Sequence, residues 1–494
     1  ALPLIVLPKP ATIPWPGTWE GIPRDGVWRG AFAVGFPLVF VLFGAAYLVL
    51  GLVERNDQVL RDLWNIRGKD LWFLTALPAV LVVMFTWTAW GDWFLTLGAL
   101  FVGLVFLKAG WFCLGMYRVF SAKPEGGSNA QVHSRTFKLG LVLIPFATYA
   151  TLGFWINHAI STTGDEHVYL LGAHSLWADH DADIHNNIAH KDFEAFYWGA
   201  WHPGAWDEFR FVGFPLVLVP AYALGGRLGV LWFQAILTAL TLYQAYMLMA
   251  VAGIGVRARF LAWVSMAATP YAFIYSTSVY PEIPAAFLIL FSLRKAAGFQ
   301  GKLASVIPTL APLLAVPMLK PRYGLSSALV GGYMIRRMAA RAGWGRVIPL
   351  AAGLSAAALA VVLWKSRLAI GVDWSFLQNL LTWKSEHILA ALGLVFDQEY
   401  GLLAYAPVIL LGVAGTGYVV RLRKDLGLFL WVLVGVTLWM VSHAVTVQWD
   451  AGWTPPTRFL ISIVFPLSVF VGGFLEARTG RGWKVLFVLA VGYG

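Results

Sequence analysis

Apolar residues in this chain do not alternate with polar ones. They come in long, nearly uncharged runs set apart by short polar interruptions, as in VWRGAFAVGFPLVFVLFGAAYLVLGLV from Val27. A helix rises 1.5 Å per residue, so ~20 such residues cross the ~30 Å of hydrocarbon in a bilayer. The pattern predicts about fourteen helical spans on that criterion, beginning near 31, 71, 93, 138, 228, 260, 278, 303, 323, 347, 403, 427, 459 and 485. The pieces at 260–293 and 323–335 are short and are expected to tilt or embed partly. Barrel strands are shorter and alternate apolar with polar residues, so the runs exclude that architecture. The expected fold class is all-α, a polytopic integral membrane protein with about 13–14 transmembrane helices.

Composition supports this picture: 59% of residues are hydrophobic and 25 are tryptophan. Cys113 stands alone, which excludes internal disulfides and cysteine metal clusters. The net charge of +11 does not imply a nucleic-acid partner, because Lys and Arg crowd the loops between spans. Clusters at Arg55/Arg61/Arg67/Lys69, Arg118/Lys123/Arg135/Lys138, Arg257/Arg259, Arg294/Lys295/Lys302, Arg336/Arg337/Arg341/Arg346, Arg421/Arg423/Lys424 and Arg478/Arg481/Lys484 can all face the cytoplasm if an even number of spans separates each neighbouring pair. That assignment puts segments 161–210, 365–402 and 445–459, with the bends at Tyr280–Pro284 and Lys320–Gly324, on the opposite face. No cleavable signal is expected in ALPLIVLPKPATIPWPGTW, and the chain stops within an apolar run.

The polar chemistry gathers on that extracytoplasmic side. TTGDEHVYLLGAHSLWADHDADIHNN, from Thr162, opens with Asp165 and Glu166 just beyond a span. Partial desolvation there raises a carboxylate's pKa and suits it to act as a base; the plain alternative is a solvated loop end. Asp179, Asp181 and Asp183 alternate and are followed by Asn186 and Asn187, like the start of an oxygen-rich cation loop. Ile184 stands where an EF-hand needs glycine, so the pattern is either a site for a divalent cation (Ca, Mg or Mn) or a hydrogen-bonded loop scaffold. Glu282, between Pro281 and Pro284, is a site candidate or a helix N-terminal charge. Lys320 and Arg322, on the face where positive charge is uncommon, either snorkel or hold a phosphate near the headgroups. Arg458, after TPPT, is a further basic candidate, and Asp397 and Glu399 are further acidic ones.

An acidic pair in a large external loop, a glutamate at the mouth of a later span and a basic residue before a glycine-containing span together resemble the GT-C membrane glycosyltransferases, among them protein O-mannosyltransferases and aminoarabinose transferases of lipid A. GDEHVYLLGAHSLWADHDADIHNN, VPAYALGGRLGV, GLVFDQEYGLLAYAP and WDAGWTPPTRFL are more closely similar to a bacterial group of polytopic proteins usually assigned to that superfamily. The likeness runs over roughly 138–475. His167 stands where that group often has proline, and about three spans precede the acidic loop where the superfamily usually has one.

The resemblance implies an inverting transferase in the bacterial inner membrane, using a polyprenyl-phosphate sugar and surrounded by membrane lipids. Asp165 would be the base, with Glu166 as helper. Glu282, Lys320, Arg322, Arg458 and Asp397 would bind the substrate or its lipid phosphate. It divides the chain into an N-terminal extension (1–137), available to dock protein partners, a GT-C-like core (138–364) carrying the external loop after the fourth span, and a C-terminal set of spans (365–494). Tyr169, Trp198, Trp201, Trp449 and Trp453 could stack on sugars. Two other readings compete: a non-catalytic accessory subunit of a larger membrane complex, and a transporter. The second fits less well, because transporters place ionisable groups on broken helices at mid-membrane.

Overall fold

The computed structural model describes residues 135–199, 201, 212–345, 347–349, 352, 353, 384–445, 455–478 and 480–493. The expected spans near 31, 71 and 93, most of the one near 347, and the extension upstream of Arg135 lie outside them. Among the described residues the fold is all-helical, with no strand. Among those residues four helical segments are long and apolar enough to cross a membrane: α1 (Arg135–Ala159), α4 (Gly213–Val251), α12 (Lys424–Val445), and Arg458–Ala477, which holds α13 (Ile461–Ala477).

The segment expected as an external loop is itself largely helical. It holds α2 (Glu166–Ala178), α3 (His185–His190) and a 3-10 turn over Asp192–Ala195. VYLLGA at the start of α2 is apolar and buried, so this stretch packs as part of the core. Helix α4 begins well before the expected start near 228 and is broken at Gly225 and Gly226. Gly226 has φ 55° and ψ −138°, a conformation closed to residues with a Cβ. Immediately after the break, Arg227 donates to the Ile160 carbonyl at 2.6 Å, capping the end of α1 where the TTGDE turn begins.

The expected pair of spans near 260 and 278 is divided more finely. A break at Thr269, before Pro270, separates α5 (Val256–Ala267) from α6 (Pro270–Ser276), and α7 (Glu282–Ala297) follows. Next come α8 (Ile307–Leu319) and α9 (Gly324–Ala342), then α10 (Ser385–Phe396), α11 (Val408–Leu422) and, after α13, α14 (Arg481–Tyr493).

The core forms around α13, which is buried on every side from Ile461 to Phe474, as expected of a helix apolar all round. Two polar ends flank this core. At one end Arg423 donates to the carbonyls of Val251 and Ala297, the last residues of α4 and α7, while Arg337 and Arg423 both pair with Asp425. Tyr333 donates to Asp425 as well. The other end carries Glu282. Its 16-residue helix holds the two ends about 24 Å apart.

Helices α11 and α13 cross so closely that a Cβ on Gly415 would run into the backbone of its neighbour, at the Phe470 carbonyl oxygen and the Phe474 nitrogen. Gly415→Ala should therefore destabilise the protein by about 1–3 kcal/mol through overpacking. Gly417, where a Cβ would meet nothing within 4 Å, is the control. Thermal melts of the detergent-solubilised protein check this; equal melting of the two alanine variants would contradict so close a crossing.

Candidate functional site

Site residues come from four separate parts of the chain, each placed by a local device. The TTGDE turn is closed by Glu166, whose Oε2 accepts the Thr163 backbone N–H at 2.9 Å. The Glu166 N–H in turn donates to the Thr163 carbonyl at 3.1 Å, and Gly164, at φ 53°, makes the bend between them. Glu166 Oε1 accepts the Val279 backbone N–H at 2.6 Å, tying the turn to the bend that precedes α7. Glu166, expected beside Asp165 as helper, is thus turned onto backbone donors. Burial pushes its carboxyl above the usual carboxylate range, against the pull of the Thr163 and Val279 hydrogen bonds.

Asp165 points the other way. Its Oδ2 lies 2.6 Å from an Arg458 guanidinium nitrogen and 3.9 Å from Lys320 Nζ, and it accepts from the Tyr169 hydroxyl at 3.4 Å. Burial would raise its pKa, but Arg458, Lys320 and Arg322 together outweigh burial and hold it below the usual range. The upward shift expected for the acidic pair is therefore reversed at Asp165.

Glu282, at the first turn of α7, is fully buried. Its Oε1 accepts from both Arg322 at 2.6 Å and Arg458 at 3.0 Å, while its Oε2 is buried without a hydrogen-bond partner among the described residues. Arg322 lies over the Phe459 ring at 4.3 Å, and Arg458 over the Tyr280 ring at 4.3 Å. Lys320 Nζ donates to the Tyr169 hydroxyl at 2.9 Å. Burial, and then the nearby guanidiniums of Arg322 and Arg458, bring the Lys320 ammonium down to about 7.

Asp165, Glu282, Lys320, Arg322 and Arg458 therefore form one network. Among the described residues, three basic side chains face two carboxylates in it. Exposure rises in order through the network. The Glu282 side chain is 0% exposed, Arg458 4%, Arg322 12%, Asp165 13% and Lys320 15%. Glu282 is the most deeply buried of the five, and Arg322, Asp165 and Lys320 are the least. Such an arrangement can bind an anion and offer it a neighbouring carboxylate.

The basic turn is set by residues that sequence reasoning passed over. Tyr275 donates to the carbonyls of Pro455 and Pro456, both at 2.9 Å. Thr457, in the left-handed region at φ 59°, bonds Tyr271 and the Tyr400 carbonyl. The three tyrosines 271, 275 and 280 share the stretch PYAFIYSTSVYP; in an apolar chain, tyrosine reads first as an interfacial anchor.

The remaining candidates are placed differently. Asp397 Oδ1 accepts from the backbone of Glu399 and Tyr400 and shapes its own turn, joined to the network through Tyr400. Asp179 accepts from Asn186 and Asn187, Asp181 from Ser175 and the Asp183 N–H, and Asp183 from the N–H and imidazole of His185. These oxygens turn onto the loop's own donors, and no group of three or more metal-ligating residues is present among the described residues. His167 stacks on Tyr197 at 4.3 Å and meets Trp201 edge-on at 5.2 Å; burial lowers its pKa to about 4, so it is neutral at physiological pH. Trp198 is exposed. Trp449 and Trp453 lie outside the described residues.

Because Glu166 satisfies two backbone donors from separate segments, Glu166→Ala should cost about 1–3 kcal/mol for each one left unpaired, read as a lowered melting temperature. An unchanged melt would remove it from this joint. No family model matches the sequence, and no curated protein matches it.

Proposed function

We propose that the chain is a polytopic bacterial inner-membrane protein of the GT-C type that moves a sugar from a polyprenyl-phosphate carrier to an acceptor hydroxyl on the extracytoplasmic face. One observation supports the reading: Asp165 is gathered into one buried network with three basic side chains, Lys320, Arg322 and Arg458, from two distant parts of the chain.

The chemistry follows from those positions. The acceptor O–H gives its proton to Asp165 as its oxygen bonds to the anomeric carbon. The bond from that carbon to the phosphate oxygen breaks, and its electron pair leaves on the phosphate. Fixed cations stabilise the charge arriving there. A single displacement inverts the anomeric centre. Glu282 holds Arg322 and Arg458 in place, and Glu166 holds the turn that presents Asp165.

A second reading has its own support. The 2.6 Å Asp165–Arg458 pair also suits a closed ionic lock in an accessory subunit that performs no chemistry. One variant separates the two. Asp165→Asn keeps the shape but removes the base, so sugar transfer from a labelled polyprenyl-phosphate donor should fall on the order of 10²–10⁴-fold while the protein still folds. Unchanged transfer would reject Asp165 as the base. A wild-type protein, in its full membrane assembly, that transfers nothing would favour the lock.

A further inference from the structure

The two carboxylates on Arg458 are not equivalent. Glu282 is fully buried, grips the guanidinium through Nε, and holds Arg322 with the same oxygen. Asp165 contacts the NH2 nitrogen and lies 3.9 Å from Lys320 Nζ. Those two cationic atoms are the ones an anion would contest with Asp165.

Removing one partner of a buried ion pair strands the other, which is strongly unfavourable unless a new partner takes its place. A phosphate brings such a partner. It can accept from Arg458 NH2 and Lys320 Nζ, the two cationic groups nearest Asp165. Asp165 would not be left bare either, since the Tyr169 hydroxyl already lies 3.4 Å from its Oδ2.

We infer that the Asp165–Arg458 pair is a latch opened by substrate: the donor's phosphate competes with the Asp165 carboxylate for Arg458 and Lys320, so the base is freed only when the donor is seated. The inference rests on the transfer reading above and adds an order of events to it. Before donor binding, the cations that hold Asp165 make it a poor proton acceptor. Once they turn to the phosphate, Asp165 loses its counter-ions and gains an anionic neighbour, and both changes strengthen it as a base. Tyr169, whose hydroxyl also accepts from Lys320 and lies 3.4 Å from Arg458 NH2, is the positioning residue that keeps Asp165 beside the reacting centre during the exchange.

The test is binding of polyprenyl phosphate, without sugar, to the full-length protein in nanodiscs. Asp165→Asn removes the competitor and should tighten binding about 10- to 100-fold, the equivalent of one charge-assisted hydrogen bond no longer contested. Glu282→Gln should weaken it, because the arginines lose their anchor. If Asp165→Asn binds no more tightly than wild type, the latch is wrong. A gain that disappears at high salt reports only the long-range field, which salt screens, and also overturns it. Should Glu282→Gln fail to fold, the Asp165→Asn comparison at low and high salt decides alone. Retained transfer activity in Asp165→Asn defeats the transfer reading, whereas an inactive variant with unaltered affinity defeats only the latch.

Discussion

A guanidinium as deeply buried as that of Arg458 cannot be left uncompensated, and much of this end of the molecule follows from that requirement. Its side chain is 4% exposed, and an isolated charge at such depth costs several kcal/mol. Neutralising it takes Glu282 from the start of α7 and Asp165 from the turn before α2, and Glu282 in turn recruits Arg322 from the turn between α8 and α9. Four segments far apart in sequence are thus bound to one another by charge. Aromatic rings beneath Arg322 and Arg458 exclude water from the same place and add attraction of their own.

The opposite end of the bundle solves a different problem with the same residue types. There the helices α4 and α7 finish, and their last carbonyls need donors. Arg423 supplies them, and Asp425 balances Arg423 and Arg337. Helix C-termini attract positive charge, so basic residues in the last turns of α7, α9 and α11 sit where the backbone favours them. Cations thus satisfy the backbone at one end, while at the other they are held by side chains.

Much of this was legible in the sequence, and what was not has identifiable causes. Unbroken apolar runs mark α1, α12 and α13 because length and hydropathy alone define such helices. The charges of GDEHVYL hid α2, although VYLLGA within it is an apolar, buried run. The break in α4 was written in the paired glycines of YALGGRL, which composition treats as merely apolar. Asp165, Glu282, Lys320, Arg322 and Arg458 stand out in sequence because ionisable groups beside apolar runs are unusual. Glu166 stands out for the same reason yet faces the backbone, since sequence cannot say which way a carboxylate turns. The joining of distant segments by Tyr271, Tyr275 and Thr457 left no local mark, because contacts to backbone carbonyls carry no pattern of their own.

The hold of Tyr275 on Pro455 and Pro456 has a further consequence. A phenol that grasps carbonyl oxygens recognises the path of a strand of backbone and is indifferent to the side chains hung from it. The arginine that follows is therefore placed by the course of the main chain at Pro455 and Pro456, and that course is read by a hydroxyl located 180 residues away in the chain.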